Sequence, residues 1–349
     1  MSRAPVIAQQ LWFSAPGAVE VRQQPLAALQ VDEVLVKTEC SAVSAGTEML
    51  VYRGQIPIDI ALDTSLQNFQ QSLSYPLQYG YAAVGRVEQL GSQVDTTWLG
   101  KRVFAFQAHA SHFIAHSTTL IALPDDIETE AALFLANMET AVNLVQDGNP
   151  ALGEKVAVVG QGIVGLLLTA VLAQFPLSEL FAVDAIATRR DLALRLGATQ
   201  ALNAFASSEI DNLKQRLDSA ARKGVDLVYE VSGAPAALNL AIDLSGFGSR
   251  LVIGSWYGNK TAAIALGGDA HRNRLNIITS QVSSIAPGLS VRWDKVRRFE
   301  LAWQMIRSIR PQQLISDRLP LSGAAELYRR LDQSPDTIAQ AVFTYPDAG

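Results

Sequence analysis

The run Val156-Ala157-Val158-Val159-Gly160-Gln161-Gly162-Ile163-Val164-Gly165 decides how this chain folds. A short β-branched stretch enters three glycines spaced as GxGxxG, and an apolar, helix-like stretch continues to Gln174. The motif stands where its mechanism requires it, after a strand and opening a helix. Gly160 allows the tight turn, Gly162 lets the backbone approach a pyrophosphate, and Gly165 permits close helix–strand packing. Gln161, Ile163 and Val164 complete the turn, and the helix they open offers unpaired N–H groups and a positive dipole end to an anion. The alternative is a packing turn with no ligand.

A second strand, Leu180-Phe181-Ala182-Val183-Asp184, ends in a carboxylate nineteen residues beyond Gly165. There Asp184 can accept hydrogen bonds from adenosine ribose hydroxyls and repel a 2′-phosphate, which favours NAD(H) over NADP(H). Arg189 and Arg190 lie further along the following helix, either as solvated charges or as phosphate contacts.

Working outward, strands are expected at Lys155–Val159, Glu179–Val183, Val225–Glu230, Arg250–Ile253 and Leu275–Thr279. Helices are expected at Ile163–Gln174, Ala187–Leu196, Glu209–Ala221 and Ala236–Ser245. This alternation predicts an α/β domain with a doubly wound parallel sheet over residues 125–280, led by a helical stretch at Glu128–Gln146. Residues 1–124 carry short β-branched or aromatic runs punctuated by Gly and Pro: Val34–Val36, Ala83–Val87 and Arg102–Phe106. They predict a mostly antiparallel β domain, with a loop or flap at residues 56–76. Beyond 280 the alternation stops; helices are expected at Lys295–Arg307 and Ser322–Gln333, and a final strand near Ala339–Tyr345.

Composition narrows the function. Of 349 residues 49% are hydrophobic and 17% charged, which excludes a disordered chain and predicts a large core. Lys and Arg total 28 against 33 Asp and Glu, a net charge of -5 that argues against nucleic acid as a partner. One cysteine, Cys40, and four histidines leave little material for a metal cluster. The N-terminal residues lead directly into an alternating pattern without an apolar secretion segment, so a cytoplasmic location is expected. Val156–Phe175 imitates a membrane span in length and apolarity, but its glycines divide it into a strand and a helix, and no membrane partner is expected.

Beyond the glycine turn, several segments stand in a telling order: SAGTEMLVYRG at 44–54, PLQYGYAAVGRV at 76–87, DLALRLGA at 191–198, YEVSGAPAALNLAI at 229–242 and PQQLISDRLPLSGAAELYRRL at 311–331. Together they resemble the medium-chain dehydrogenase/reductase superfamily, the fold of zinc alcohol dehydrogenases, through nearly the whole chain. The resemblance implies a GroES-like catalytic domain from residues 1–124 and 281–349, a Rossmann NAD-binding domain between them, an active-site cleft, and a homodimer joined through edge strands near Asn276–Gln281. It also implies that Thr140 packs on a nicotinamide ring, that backbone groups at Gly254 and Ser255 hold the carboxamide, and that Ser232 belongs with the cofactor-binding residues.

The departures bear on chemistry. Where the family places a zinc-ligating cysteine and histidine, this chain has Ala45 and Tyr81. The third-ligand region, Leu135–Glu139, holds only one acidic residue, and the four-cysteine lobe is missing between Phe104 and Phe113. Neither a catalytic nor a structural zinc is expected. The combination SAGTE, YRGQIP and GYxxVGRV looks most like a zinc-free subgroup that includes bacteriochlorophyllide a dehydrogenase. That relative has an acidic residue after the tyrosine, whereas Ala82 follows Tyr81 here, so no pigment specificity follows.

Without a metal, a side chain must exchange the substrate hydroxyl proton. Tyr81 is the first candidate; its alternative role is an aromatic pocket wall. Thr47 matches the family's hydroxyl relay, or else caps a turn. Glu48 matches an acidic residue supporting the metal, or fixes its loop by pairing with an arginine such as Arg53. Glu139 is a further candidate acid or base, or a helix-face residue. His109, His112 and His116 are spaced too irregularly for a metal site, and surface or packing roles are expected. The segment Ala270–Arg274 reads as a solvated loop, or else His271 or Arg272 reaches an anionic substrate group or the cofactor. Trp256, Tyr257 and Trp293 read as packing residues or as the lining of a substrate or subunit surface. The expected activity is zinc-independent interconversion of a secondary alcohol and a ketone with NAD(H), on a small-molecule substrate. The alternatives are NAD(P)H reduction of an activated C=C bond and a non-enzymatic protein that kept a cofactor site.

Overall fold

The computed structural model describes residues 5–57, 59, 72–218 and 223–345. Most of the expected flap at 56–76, and the end of the helix expected at Glu209–Ala221, lie outside these residues. The chain divides into two units: Met1–Ala136 with Arg310–Gly349, and Asn137–Ile309.

In the first unit, β1 (Ile7–Ala15) and β2 (Ala18–Pro25) form an antiparallel hairpin. β3 (Glu33–Ala42) leads into helix α1 (Ala45–Tyr52), followed by β4 (Ala83–Leu90), β5 (Arg102–Ala105), β6 (His112–His116), β7 (Ile121–Ala122) and α2 (Thr129–Ala132). β3 is central, pairing antiparallel with β4 and β6. Val34, Val36, Val87, Val103 and Phe113 from these strands share one core cluster, as β-branched and aromatic residues on a pleated face do.

The second unit begins with α3 (Leu135–Gly148), whose first two residues fall at the boundary. It continues through β8 (Lys155–Val159), α4 (Ile163–Leu172), β9 (Glu179–Asp184), α5 (Ala187–Arg195), β10 (Gln200–Asn203), α6 (Ser207–Asp218), β11 (Val225–Glu230), α7 (Ala237–Leu244), β12 (Ser245–Ile253), β13 (Asn276–Thr279) and α8 (Lys295–Ile309). The six strands are parallel in the order β10-β9-β8-β11-β12-β13. This is the doubly wound order in which a dinucleotide binds where the strand sequence reverses, here between β8 and β11. Val156 to Val159 are buried, as expected of a strand covered on both faces. The apolar run that imitates a membrane span is β8, its turn and α4. Among the described residues no helix is long and apolar enough to cross a membrane.

The chain then returns to the first unit as β14 (Ile315–Pro320), α9 (Ala324–Gln333) and β15 (Gln340–Thr344). β15 pairs antiparallel with β3, and Leu327, Tyr328 and Phe343 join Phe13, Leu50 and Val51 in a second core cluster. The tail therefore completes the β unit.

Several details differ from the sequence reading. The unit boundaries fall at 136/137 and 309/310, whereas the sequence placed them at 124/125 and 280/281. Residues 125–136 stay with the β unit because Arg102 donates to the Ile127 carbonyl and Glu130 pairs with Arg318 of β14. Residues 281–309 stay with the parallel sheet because Arg298 and Lys295 of α8 pair with Glu139 of α3. The helix expected over Glu128–Gln146 is two helices, α2 and α3. Strand β10 was not anticipated: it is a four-residue edge strand with one buried residue, Leu202, too short to show a period.

Candidate active site

At the end of β8, Gly160 adopts φ +99°, and a Cβ there would lie 2.5 Å from the backbone of Ser232. A Cβ on Gly165 would lie 2.0 Å from the Gly160 carbonyl oxygen. Both glycines are thus required by backbone packing alone. Gly162 differs, for no atom lies within 4 Å of its Cβ position. It caps α4 in an extended conformation without a side-chain cap bond, ahead of the N–H groups of Ile163, Val164 and Gly165 that helix geometry leaves without intrahelical acceptors. This open cradle of donors fits the pyrophosphate of a dinucleotide.

The Gln161 side chain is buried, donating to the Val158 carbonyl and accepting from Thr169, so it supports the turn from below. Asp184, also buried, accepts from the Gln161 N–H at 2.6 Å and the Ile186 N–H at 2.8 Å. Its negative charge is therefore fixed beside the turn. Arg190 donates to the carbonyls of Asp184 and Ala185, bracing the end of β9, and Arg189 is half-buried on α5.

At the ends of β11 and β12, Ser232 donates through its N–H and hydroxyl to buried Glu230, and the Ser255 hydroxyl accepts from the Gly233 N–H at 2.8 Å. Tyr257 also donates to Glu230, and burial followed by that carboxylate pushes its hydroxyl strongly up, keeping it a donor. Gly254 answers a packing demand, since a Cβ there would lie 2.5 Å from Leu144 of α3. Thr140 is half-buried on the same helix.

Glu139 is held by two cations, Lys295 at 2.7 Å and fully buried Arg298 at 3.1 Å. Arg298 also donates to Asn143 and to the carbonyls of Val282 and Ser284. With both cations on its carboxylate, Glu139 ties α3 to α8 and, through them, to the segment after β13.

In the β unit, helix α1 begins at Ser44, whose hydroxyl makes no cap bond. Instead it hydrogen-bonds the Tyr81 hydroxyl, which also lies 3.3 Å from the Thr47 hydroxyl. Three hydroxyls thus gather where the resemblance puts metal ligands. Each can donate or accept, so a proton passed to a substrate oxygen by one can be compensated by another. Glu48 is fully buried and accepts from the Ser44 N–H at 2.7 Å. Its side-chain partner is His109 Nε2 at 3.1 Å; Arg53, the partner suggested by sequence, pairs with Asp332. Tyr328 also donates to Glu48, and burial holds its phenol well above the usual range, with that carboxylate adding to the effect.

His109 is therefore a buried packing residue that also contacts Glu48, and the surface alternative does not hold. Half-buried His112 and exposed His116 lie by Glu88 and Asp32, and burial pushes the His112 imidazole down. Ser44, His109, Tyr328, Arg298 and Lys295 were missed as site-building residues. Ser44 sits four residues before Glu48, a spacing that could have been noticed; the others lie too far along the chain to signal a contact.

Catalytic zinc requires three protein ligands converging on an open position. A methyl group at Ala45 and a hydrogen-bonded phenol at Tyr81 do not supply them. Burial pushes the Cys40 thiol strongly up, so it stays protonated and is a poor ligand. Among the described residues no three His, Cys, Asp or Glu side chains are grouped to hold a metal ion. The donors present do not fit zinc.

Comparison with known proteins agrees with the architecture. Residues 30–123 match the model of the alcohol dehydrogenase GroES-like domain, and residues 164–299 that of the zinc-binding dehydrogenase. The chain is 24% identical to D-guloside 3-dehydrogenase of Escherichia coli (strain K12) over 343 residues, 94% of this chain and 97% of the relative. It is 24% identical over 269 residues to L-threonine 3-dehydrogenase of Xanthomonas campestris pv. campestris (strain B100), covering 68% of this chain and 74% of that one. The crystal structure of 2R,3R-butanediol dehydrogenase from Bacillus subtilis shares the fold with TM-score 0.78 at 18% identity, covering 97% of this chain and 100% of that chain. A pyrophosphate cradle on a doubly wound sheet, a β unit completed by the C-terminal tail and these matches lead to one conclusion: the chain belongs to the medium-chain dehydrogenase/reductase superfamily, as an NAD(P)-dependent oxidoreductase.

Proposed function

We propose that this protein interconverts a secondary alcohol and a ketone with NAD(H), without zinc, and that Tyr81 exchanges the hydroxyl proton. The carrying observation is the cluster of Tyr81, Ser44 and Thr47 hydroxyls, beside Ala45, in place of metal ligands. Gly162 and the opening of α4 would hold the pyrophosphate, and Asp184 would face the adenosine ribose. The nicotinamide, when bound, supplies or takes the hydride. Tyr81 gives its phenol proton to the ketone oxygen during reduction, leaving a phenolate that regains a proton from solvent. Oxidation runs the same steps in reverse, the phenolate taking the alcohol proton, with Ser44 and Thr47 donating hydrogen bonds to the phenolate oxygen. Substrate hydroxyls of the kind named in the guloside, threonine and butanediol dehydrogenases support the alcohol reading. The charge of Asp184 beside the turn supports NAD(H) over NADP(H). β13 is an edge strand with Ile277 exposed, which supports a homodimer formed by pairing that edge; light scattering showing only monomer would exclude it.

The test is Tyr81→Phe in a panel of sugars, polyols, amino alcohols and enones. Turnover is expected to fall roughly tenfold or more, with NADH affinity unchanged, as when a general acid is lost. Unchanged turnover removes Tyr81 as the acid, and turnover confined to enones replaces the alcohol reading with C=C reduction. Active protein containing one chelator-sensitive zinc per chain would refute zinc independence.

A further inference from the structure

The Tyr81 cluster continues inward to a fully buried imidazole. His109 faces Glu48 through Nε2 at 3.1 Å and Ser41 through Nδ1 at 2.7 Å, and Ser41 reaches the Tyr345 hydroxyl at 2.7 Å. A hydrogen bond to a carboxylate requires the proton on Nε2. The ring also meets Phe343 edge-on at 5.0 Å. On its remaining side lies Gly80, at φ +132°, where a Cβ would stand 2.9 Å from His109 Cδ2 and 3.0 Å from Nε2. The imidazole therefore packs directly on the backbone that carries Tyr81.

We propose that His109 is a positioning residue for Tyr81, acting through Glu48 and Ser44 and through its contact with Gly80. The inference rests on the reading of Tyr81 as proton donor. A buried carboxylate holds one orientation only while donors satisfy it. His109 and Tyr328 supply donors to Glu48 Oε2, which leaves Oε1 to fix the Ser44 N–H. With its backbone fixed, Ser44 turns its hydroxyl to Tyr81 instead of capping α1. Releasing the imidazole removes one of the two donors to Glu48 Oε2, loosening the carboxylate, and opens space beside Gly80 at once, so the phenol gains alternative rotamers and loses its alignment.

Fluorine NMR of fluorotyrosine-labelled protein reads this directly, with the Tyr81 signal identified by its disappearance in Tyr81→Phe. His109→Gln, whose amide can donate near the Nε2 position, should leave that signal in place. His109→Asn, whose shorter amide sits near Nδ1, should shift and broaden it while NADH affinity stays within about twofold, and should lower panel turnover by about tenfold. An unmoved Tyr81 signal in folded His109→Asn overturns the proposal. Should that variant not fold, His109→Leu, which keeps the buried volume but carries no donor, replaces it, and an unmoved signal there overturns it equally. If Tyr81→Phe keeps full activity, the proton-donor reading fails, yet the signal still decides whether His109 positions the phenol.

Discussion

The turn at Gly160–Gly165 and the cluster around Tyr81 are built from different materials. The turn is backbone: its two packing glycines are demanded by atoms 2.0–2.5 Å from absent side chains, and its third keeps space open. The Tyr81 cluster is built mainly of side chains, from β3, α1, the residues before β6, α9 and the end of β15, with the Ser44 N–H and the Gly80 backbone as its main-chain parts. A backbone site tolerates no change at its packing glycines, here Gly160 and Gly165. A side-chain site can exchange its chemistry while the fold around it persists, and a phenol stands here where the family resemblance implies a metal ligand.

The strongest challenge to this contrast is Gly165→Val. It drives side-chain atoms into the Gly160 carbonyl, and an overlap of this size costs upwards of about 3 kcal/mol. NADH fluorescence titration should show affinity reduced by about a hundredfold or more, or no binding; near-native binding would mean that the turn is not held by backbone packing. Arg298→Met comes next, since stranding buried Glu139 and Asn143 costs about 3–5 kcal/mol. Hydrogen exchange in α3 and α8 should accelerate by roughly a hundredfold or more, and unaltered protection would show that the pair adds nothing to their docking.

Asp184 sharpens the comparison, being the side chain to which the proposed function gives cofactor selectivity. Asp184→Ser should move the NADPH-to-NADH affinity ratio toward NADPH by about tenfold, about 1.4 kcal/mol, and a constant ratio would remove that role. The smallest effect is expected on the surface. Arg318 donates twice to Glu130, holding its carboxyl below the usual range. A depressed carboxylate stabilises the fold above its ordinary pKa, and the contribution is lost as pH falls through the folded value. Because both groups are over a third exposed, Arg318→Gln should cost about 0.5 kcal/mol at neutral pH and progressively less in acid. A constant deficit down to acid pH would show a packing effect instead.

The parallel sheet was legible because β8, β9, β11 and β12 are buried runs separated by helices of ordinary length. Its edge strand β10 was not, since four residues with one buried side chain carry no period. The division of residues 281–309 was also misplaced, because the partner that holds α8 is Glu139, more than 150 residues earlier. Around Tyr81, Thr47 and Glu48 could be named from their neighbours in sequence. The true partner of Glu48 could not: His109 is 61 residues away and Tyr328 is 280, and nothing local marks either.

Local order along the chain determined the alternation of strands and helices, the glycine turn and the carboxylate after β9, since each rests on short-range backbone geometry and periodic burial. Tertiary structure alone decided which charges neutralise one another, that Glu139 is locked to α8, and that an imidazole rests against the residue before Tyr81. Pairing buried polar groups depends on which distant segments the fold brings within hydrogen-bond reach, and spacing in sequence does not record that distance.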